Sequence, residues 1–260
     1  MVKTYLALDL ELFWDEHLYE THREMDRKSD RRATAVKRVM AASVFEFSVD
    51  EEGRVSTGEV ASWTERDWGD EQAVIGQLFN FLRARADTPV LTFGGLATDI
   101  PVLVLAAMGN GVSLPPQLLD MPGRKGPRAH LDLGLMLKGG GRTWSHLSQV
   151  LLRLGVPAEL VSAKAHVARP SNEEQWQSLR DHVELDCLLL AISKVSWLTA
   201  QGMEALRFEP AVIALVAGFL RRRQDHAMAQ SLHAYASELE GRLAERWVAA
   251  VRDTAPSSSG

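Results

Sequence analysis

The sequence predicts an α/β fold: a mixed sheet flanked by helices, with a helical C-terminal extension. Three observations carry that expectation. Strand patterns occupy the chain up to about Trp63, and helical and strand patterns then alternate as far as Leu133. After Ser171 almost every apolar residue recurs at helical spacing. At 260 residues the chain is long enough to bury a large core. The expected organisation is an α/β unit over 1–203, a helical extension over 204–253 and a tail of disordered composition over 254–260.

Tyr5, Leu6, Ala7 and Leu8 form a short apolar run of the kind buried on both faces of a sheet. Asp9 and Glu11 end it. A charged segment over 15–38 follows, with Arg23, Arg27, Lys28, Arg31, Arg32, Lys37 and Arg38 among acids; it is expected as a loop that becomes partly helical over 33–39. Residues 41–49 alternate as a strand, 50–53 form a turn and 54–63 return, which makes an antiparallel meander with the first strand. A helix over 70–86 has Asp70 as its cap, and a strand over 88–93 runs into Gly94 and Gly95. Pro101 suits the first turn of the next helix, with Thr98 or Asp99 available to cap it. A proline-rich loop over 115–127 leads to a short strand at 129–133 and a helix over 143–154. A long amphipathic helix over 171–200 begins at Ser171 or Asn172, and helices fill 210–251.

Composition excludes several classes. A hydrophobic content of 46% with 24% charged residues is that of a globular protein. The net charge of −5 argues against a general polyanion binder, although local patches decide nucleic-acid binding more than the sum does. The single cysteine, Cys187, rules out a disulfide framework and lies in an apolar helical run, where it reads as a small buried hydrophobe. No apolar stretch reaches the roughly 18 residues that span a bilayer. The expectation is a cytoplasmic protein with no membrane partner. There is no Gly-x-Ser-x-Gly and no phosphate-binding P-loop.

The chemistry-bearing residues are acidic. Side chains alternate along a strand, so Asp9 and Glu11 present two carboxylates to one face, a costly arrangement unless a cation or donor lies between them. Oxygen ligands of this kind suit Mg²⁺ or Mn²⁺. A lone Asp-x-Glu is also what a strand running into solvent looks like. His182 and Asp186 are four apart on a helix, hence on one face. Such a pair is usually a surface interaction, but Asp186 directly precedes four apolar residues and so lies at the edge of a buried stripe.

The order Asp9-x-Glu11, then Thr92-Phe93-Gly94-Gly95-Leu96-Ala97-Thr98-Asp99-Ile100-Pro101-Val102-Leu103, then His182-x-x-x-Asp186, resembles the DEDD superfamily of 3′–5′ exonucleases. Within it the pattern is similar to predicted exonucleases related to the proofreading domains of family-B DNA polymerases. His130-Leu131-Asp132-Leu133 and Leu154-Gly155-Val156-Pro157 fit segments that such proteins carry between their second and third motifs. The resemblance covers about residues 3–203. It departs from the family at Gly94, where the pattern has Asn, at Thr98, where it has an aromatic residue, and at His182, which stands at the spacing usual for Tyr.

This resemblance implies a ribonuclease H-like fold and phosphodiester hydrolysis assisted by two Mg²⁺ or Mn²⁺ ions. Asp9, Glu11, Asp99 and Asp186 would be the metal ligands. His182 would orient or deprotonate the attacking water; its alternative role is a structural helix histidine. Leu12, Phe13 and Phe93 are candidates for contact with the terminal base, core packing being an equal alternative for Phe13. Lys164 and Arg169 are further candidates for substrate contact, and Asp132 reads as structural. The implied substrate is the 3′ end of single-stranded DNA, or of RNA. The rival is a catalytically weak nucleic-acid-binding or scaffold protein on the same fold. The C-terminal helices are candidates for a homodimer interface, a substrate clamp or a cap on the core.

Overall fold

A computed structural model describes residues 2–25, 33–119, 129–162 and 169–254. The chain begins β1 (Lys3–Trp14), α1 (Glu16–Met25), a 3-10 turn at Thr34–Val36, β2 (Lys37–Val49) and β3 (Val55–Thr64). It continues α2 (Glu65–Trp68), α3 (Glu71–Arg83), β4 (Val90–Thr92), α4 (Asp99–Asn110), β5 (His130–Asp132) and α5 (Leu133–Lys138). The remainder is helical: α6 (Leu147–Arg153), α7 (Ala158–Ser162), α8 (Glu173–Ala200), α9 (Phe208–Leu220) and α10 (Ala229–Thr254).

The five strands form one mixed sheet in the order β3-β2-β1-β4-β5. β1 to β3 make the expected antiparallel meander, and β4 and β5 add parallel to β1. Period two divides β1 between two cores. Leu6, Leu8 and Leu10 pack against Val74, Ile75, Leu78 and Phe79 of α3 and Val102 and Leu103 of α4. Tyr5 and Ala7 face Leu185, Leu188, Leu189 and Ile192 of α8, behind which lie α9 and α10. The result is the α/β fold expected, a sheet between helical layers with C-terminal helices added, consistent with a ribonuclease H-like fold.

The caps behave as the sequence suggests. Asp70 accepts from the Ala73 N–H at 2.8 Å and Asn172 from the Gln175 N–H at 2.9 Å. Three local expectations fail. The segment after β1 is helical at once, as α1, and the partial helix expected over 33–39 is the 3-10 turn at Thr34–Val36, cut off where β2 starts at Lys37. Tertiary pairing overrides propensity there, because Leu12, Phe13 and Trp14 pair with Val39, Arg38 and Lys37. Residues 143–146 are not helical, and α6 starts only at Leu147. Finally, α8 is not amphipathic along its middle. Every residue from 183 to 195 is buried, since the sheet covers one side and α9 and α10 the other.

That burial takes charges with it. Glu184, fully buried, accepts from Arg223 Nε at 2.6 Å and from Ser62 Oγ at 2.5 Å. Asp181 accepts from Gln177 Nε2 at 2.8 Å and from the Ala227 N–H at 3.2 Å. The turn between α9 and α10 is thereby tied to α8 by charge-assisted bonds. Close packing of α9 on β3 needs Gly218, where a Cβ would lie 2.1 Å from Thr57 Oγ1. Among the described residues no helix is long and apolar enough to cross a membrane. Of the tail, Thr254 ends α10, and 255–260 lie outside the described residues.

Candidate active site

β4 is short and pairs with β1 only at Leu6 and Ala7, whereas β1 runs on to Trp14. The far half of β1 therefore borders an opening beyond the carboxyl ends of the parallel strands, the usual place for a site in an open α/β sheet. Asp9 and Glu11 continue the Tyr5 and Ala7 face, which lies under α8. A register shift follows Glu11: Ala41 opposes Glu11 and Val39 opposes Leu12, leaving Met40 as an extra residue. Such a bulge re-aims the strand.

From α8, His182 and Asp186 project one turn apart toward this face. His182 Nε2 is 3.2 Å from Glu11 Oε1 and 3.8 Å from Asp186 Oδ2. The ligand atoms of Glu11, His182 and Asp186 lie within 4.8 Å of one another, so these three groups can hold a metal ion. Asp9 and Asp99 line the same cleft, which has a volume of about 1260 Å³. Leu12, Phe13, Arg38, Glu65, Glu71 and Arg169 line it further along.

Asp99 reaches the cleft through a turn that is held from below. Gly94 adopts φ +75°, the left-handed region open to glycine. Buried Asp132 accepts from the N–H groups of Gly94 (2.8 Å), Leu96 (2.9 Å) and Leu135 (3.0 Å). One carboxylate thus shapes the turn before α4 and caps α5. Thr98 is the cap residue of α4 but makes no side-chain capping bond, and Asp99 is the first helical residue.

Burial and pairing set the electrostatics along the cleft. Desolvation raises the Glu65 carboxyl, opposed by the guanidinium of Arg169 at 2.8 Å. Glu71 accepts from the Val39 N–H at 2.8 Å and pairs with Arg38 at 3.3 Å. Arg38 also donates to Asp15 at 2.5 Å, which holds its guanidinium charged. Burial pushes the Cys187 thiol well up, with the neighbouring Asp9 adding to it, so this cysteine is an inert core residue.

The sequence candidates Asp9, Glu11, Leu12, Phe13, Asp99, His182 and Asp186 all line one cleft. Phe93 does not. It is half-buried against the core under α8, beside Gly134. Lys164, Arg27, Lys28, Arg31 and Arg32 lie outside the described residues. Glu65, Glu71 and the turn-holding role of Asp132 went unread in the sequence. For Glu71 a signal existed, an acidic residue directly after the Asp70 cap. For Glu65 there was none.

The chain matches no protein-family model and no curated protein. It is similar to a family B DNA polymerase. That solved structure, from the hyperthermophilic archaeon Pyrobaculum calidifontis, is 17% identical with a TM-score of 0.41. The match covers 85% of this chain and 29% of the polymerase chain, so the chain spans less than a third of that protein's length.

Proposed function

We propose that this protein is a divalent-cation-dependent 3′–5′ exonuclease acting on single-stranded 3′ ends, with DNA favoured over RNA. One observation carries the reading: carboxylates from the first strand, the α4 N-terminus and the late helix α8 meet a histidine in a single open cleft. The donor set fits hard cations, because it offers carboxylate oxygens and one imidazole and no thiolate. Asp9, Glu11, Asp99 and Asp186 would hold Mg²⁺ or Mn²⁺. When bound, two such ions supply the positive charge that a phosphodiester needs as its attacking and leaving oxygens both become anionic.

The chain's own residues do the rest. His182, whose Nε2 lies 3.2 Å from Glu11 Oε1, orients or deprotonates the attacking water. Imidazole titrates nearer neutrality than the phenol that usually stands at this spacing, so it is a better base at cellular pH. Leu12 presents apolar surface to the terminal base, a contact indifferent to sequence, while the Phe13 ring lies under Arg169. Asp132 keeps Asp99 in place through the turn it caps.

The test is cleavage of 5′-labelled single-stranded DNA and RNA with Mg²⁺ or Mn²⁺, beside Asp9→Ala. A ladder shortening from the 3′ end, absent in the variant, is the expected result, and its relative rate on the two substrates decides the sugar. Folded protein that cuts neither substrate with either metal overturns the proposal in favour of a binding or scaffold protein.

A further inference from the structure

Two arginines line the cleft, and they are held differently. Arg38 is shared between two acids, donating through Nε to Asp15 and through Nη1 to Glu71. Arg169 makes one ion pair among the described residues, from Nη2 to Glu65 at 2.8 Å. Its guanidinium carbon lies 4.6 Å from the centre of the Phe13 ring. Glu65 is buried beneath it, 8% exposed, while the Arg169 side chain is 58% exposed. A planar cation is therefore fixed from below by a ring and from one edge by a desolvated carboxylate. Among the described residues its Nε–H and Nη1–H₂ donors have no hydrogen-bond acceptor, and they border the cleft. A fork of this kind matches phosphate oxygens, and the ring and carboxylate together remove most of the rotamer entropy that an ordinary surface arginine would lose on binding.

Phe13 also fixes where that phosphate lies. It is two residues beyond Glu11 on β1, so the fork stands further along the strand than the carboxylate cluster, on the same cleft wall. We propose that Arg169, held by Phe13 and Glu65, is the clamp for a backbone phosphate interior to the scissile one. The clamp selects a strand that continues past its terminal nucleotide over a free mononucleotide. This rests on the proposed reading of the cleft as a nucleic-acid site, and it is read from binding, so it does not depend on turnover.

The experiment measures fluorescence anisotropy of a 5′-fluorescein-labelled dodecathymidylate against the Asp9→Ala protein over a salt series. Arg169→Ala is expected to weaken binding about tenfold. It should also lower the magnitude of the slope of log K against log salt by about 0.7, the value for one phosphate contact on a single strand. Arg169→Lys keeps the slope and recovers only part of the affinity, since an ammonium cannot stack as a plane on Phe13. Arg66→Ala, which removes the same charge from an exposed pair with Glu173, is the control and leaves the slope unchanged. An Arg169→Ala protein that folds and matches that control in affinity and slope overturns the clamp. Parent protein that does not bind the oligonucleotide overturns both the clamp and the reading beneath it. Arg169-dependent binding by a wild-type protein that never cleaves upholds the clamp and sinks the exonuclease alone.

Discussion

Nε2 of His182 stands closer to Oε1 of Glu11, at 3.2 Å, than to Oδ2 of Asp186 on its own helix, at 3.8 Å. The imidazole is thus addressed to the strand. If it acts on water and does not hold the cation, its loss should separate chemistry from binding. His182→Ala is expected to lower the single-turnover rate by about 10²–10³-fold. The rise in Tm on adding Mn²⁺ should persist, measured by differential scanning fluorimetry. Loss of that rise would make His182 a ligand instead.

The carboxylates should respond together to the cation. Several anionic side chains confined to one cleft repel one another, and an ion that binds only the folded state stabilises it by about 2.7 kcal/mol at a hundred times its Kd. Calorimetry with and without Mn²⁺ should show that rise in the wild type. In Asp186→Asn it should be mostly lost under the proposed function, because this residue is 5% exposed and would supply a ligand that no water replaces easily. An equal rise in both proteins would place the ion elsewhere.

Asp132 supports the site without reaching into it. Asp132→Ala orphans the N–H groups of Gly94, Leu96 and Leu135, each costing about 1 kcal/mol or more where buried. Urea denaturation should show a loss of about 2–4 kcal/mol. Activity should fall further than the folded fraction explains, since the turn that leads to Asp99 relaxes. A stable variant with full activity would confine Asp132 to capping α5.

Arg223 pairs with a glutamate that has no access to water. Arg223→Ala leaves Glu184 buried with Ser62 as its one remaining partner among the described residues and should cost about 3–5 kcal/mol in urea denaturation. The double variant Arg223→Met, Glu184→Leu should recover most of that, because the penalty comes from the stranded charge. Failure to recover would point to shape at this corner instead.

Lys194 gives a pH signature. Burial, aided by Lys3, pushes its ammonium from 10.5 down to about 8, and it is 4% exposed with Nζ 5.0 Å from the Tyr5 ring centre. Below about pH 8 the lysine is charged in both states, so the full burial penalty opposes folding. Between about 8 and 10.5 the unfolded chain binds more protons, so stability rises with pH; above that window the penalty is gone. Lys194→Met should therefore stabilise the protein at pH 7 by about 1–3 kcal/mol, after the lost cation–π contact is subtracted. The advantage should shrink toward pH 10. A gain independent of pH would assign the effect to packing.

Much of the architecture was legible because it follows from local periodicity. Leu6, Leu8 and Leu10 alternate with Tyr5, Ala7, Asp9 and Glu11, so the two faces of β1 could be sorted from the sequence. Asp70 and Asn172 announced their helices by capping chemistry. The errors came where long-range pairing outweighed local preference, as at 37–39. Along the middle of α8, which is enclosed, Asp181, Glu184, Asp186 and Lys194 are buried, so polarity no longer marks a solvent face. Phe93 shows the same limit at the site: the resemblance made it a candidate for substrate contact, and it packs against the core instead.

By itself the sequence determined that Asp9 and Glu11 share one strand face and that His182 and Asp186 share one helix face, because both follow from the repeat of a single element. Only the tertiary structure decided that these two faces meet, that a bulge at Met40 re-aims the strand beyond them, and that Arg169 lies over Phe13 with Glu65 beneath. Those contacts join residues far apart in the chain. They depend on how α8 is wedged between the sheet and the C-terminal helices, a choice made by the packing of whole faces and invisible to the spacing within any one of them.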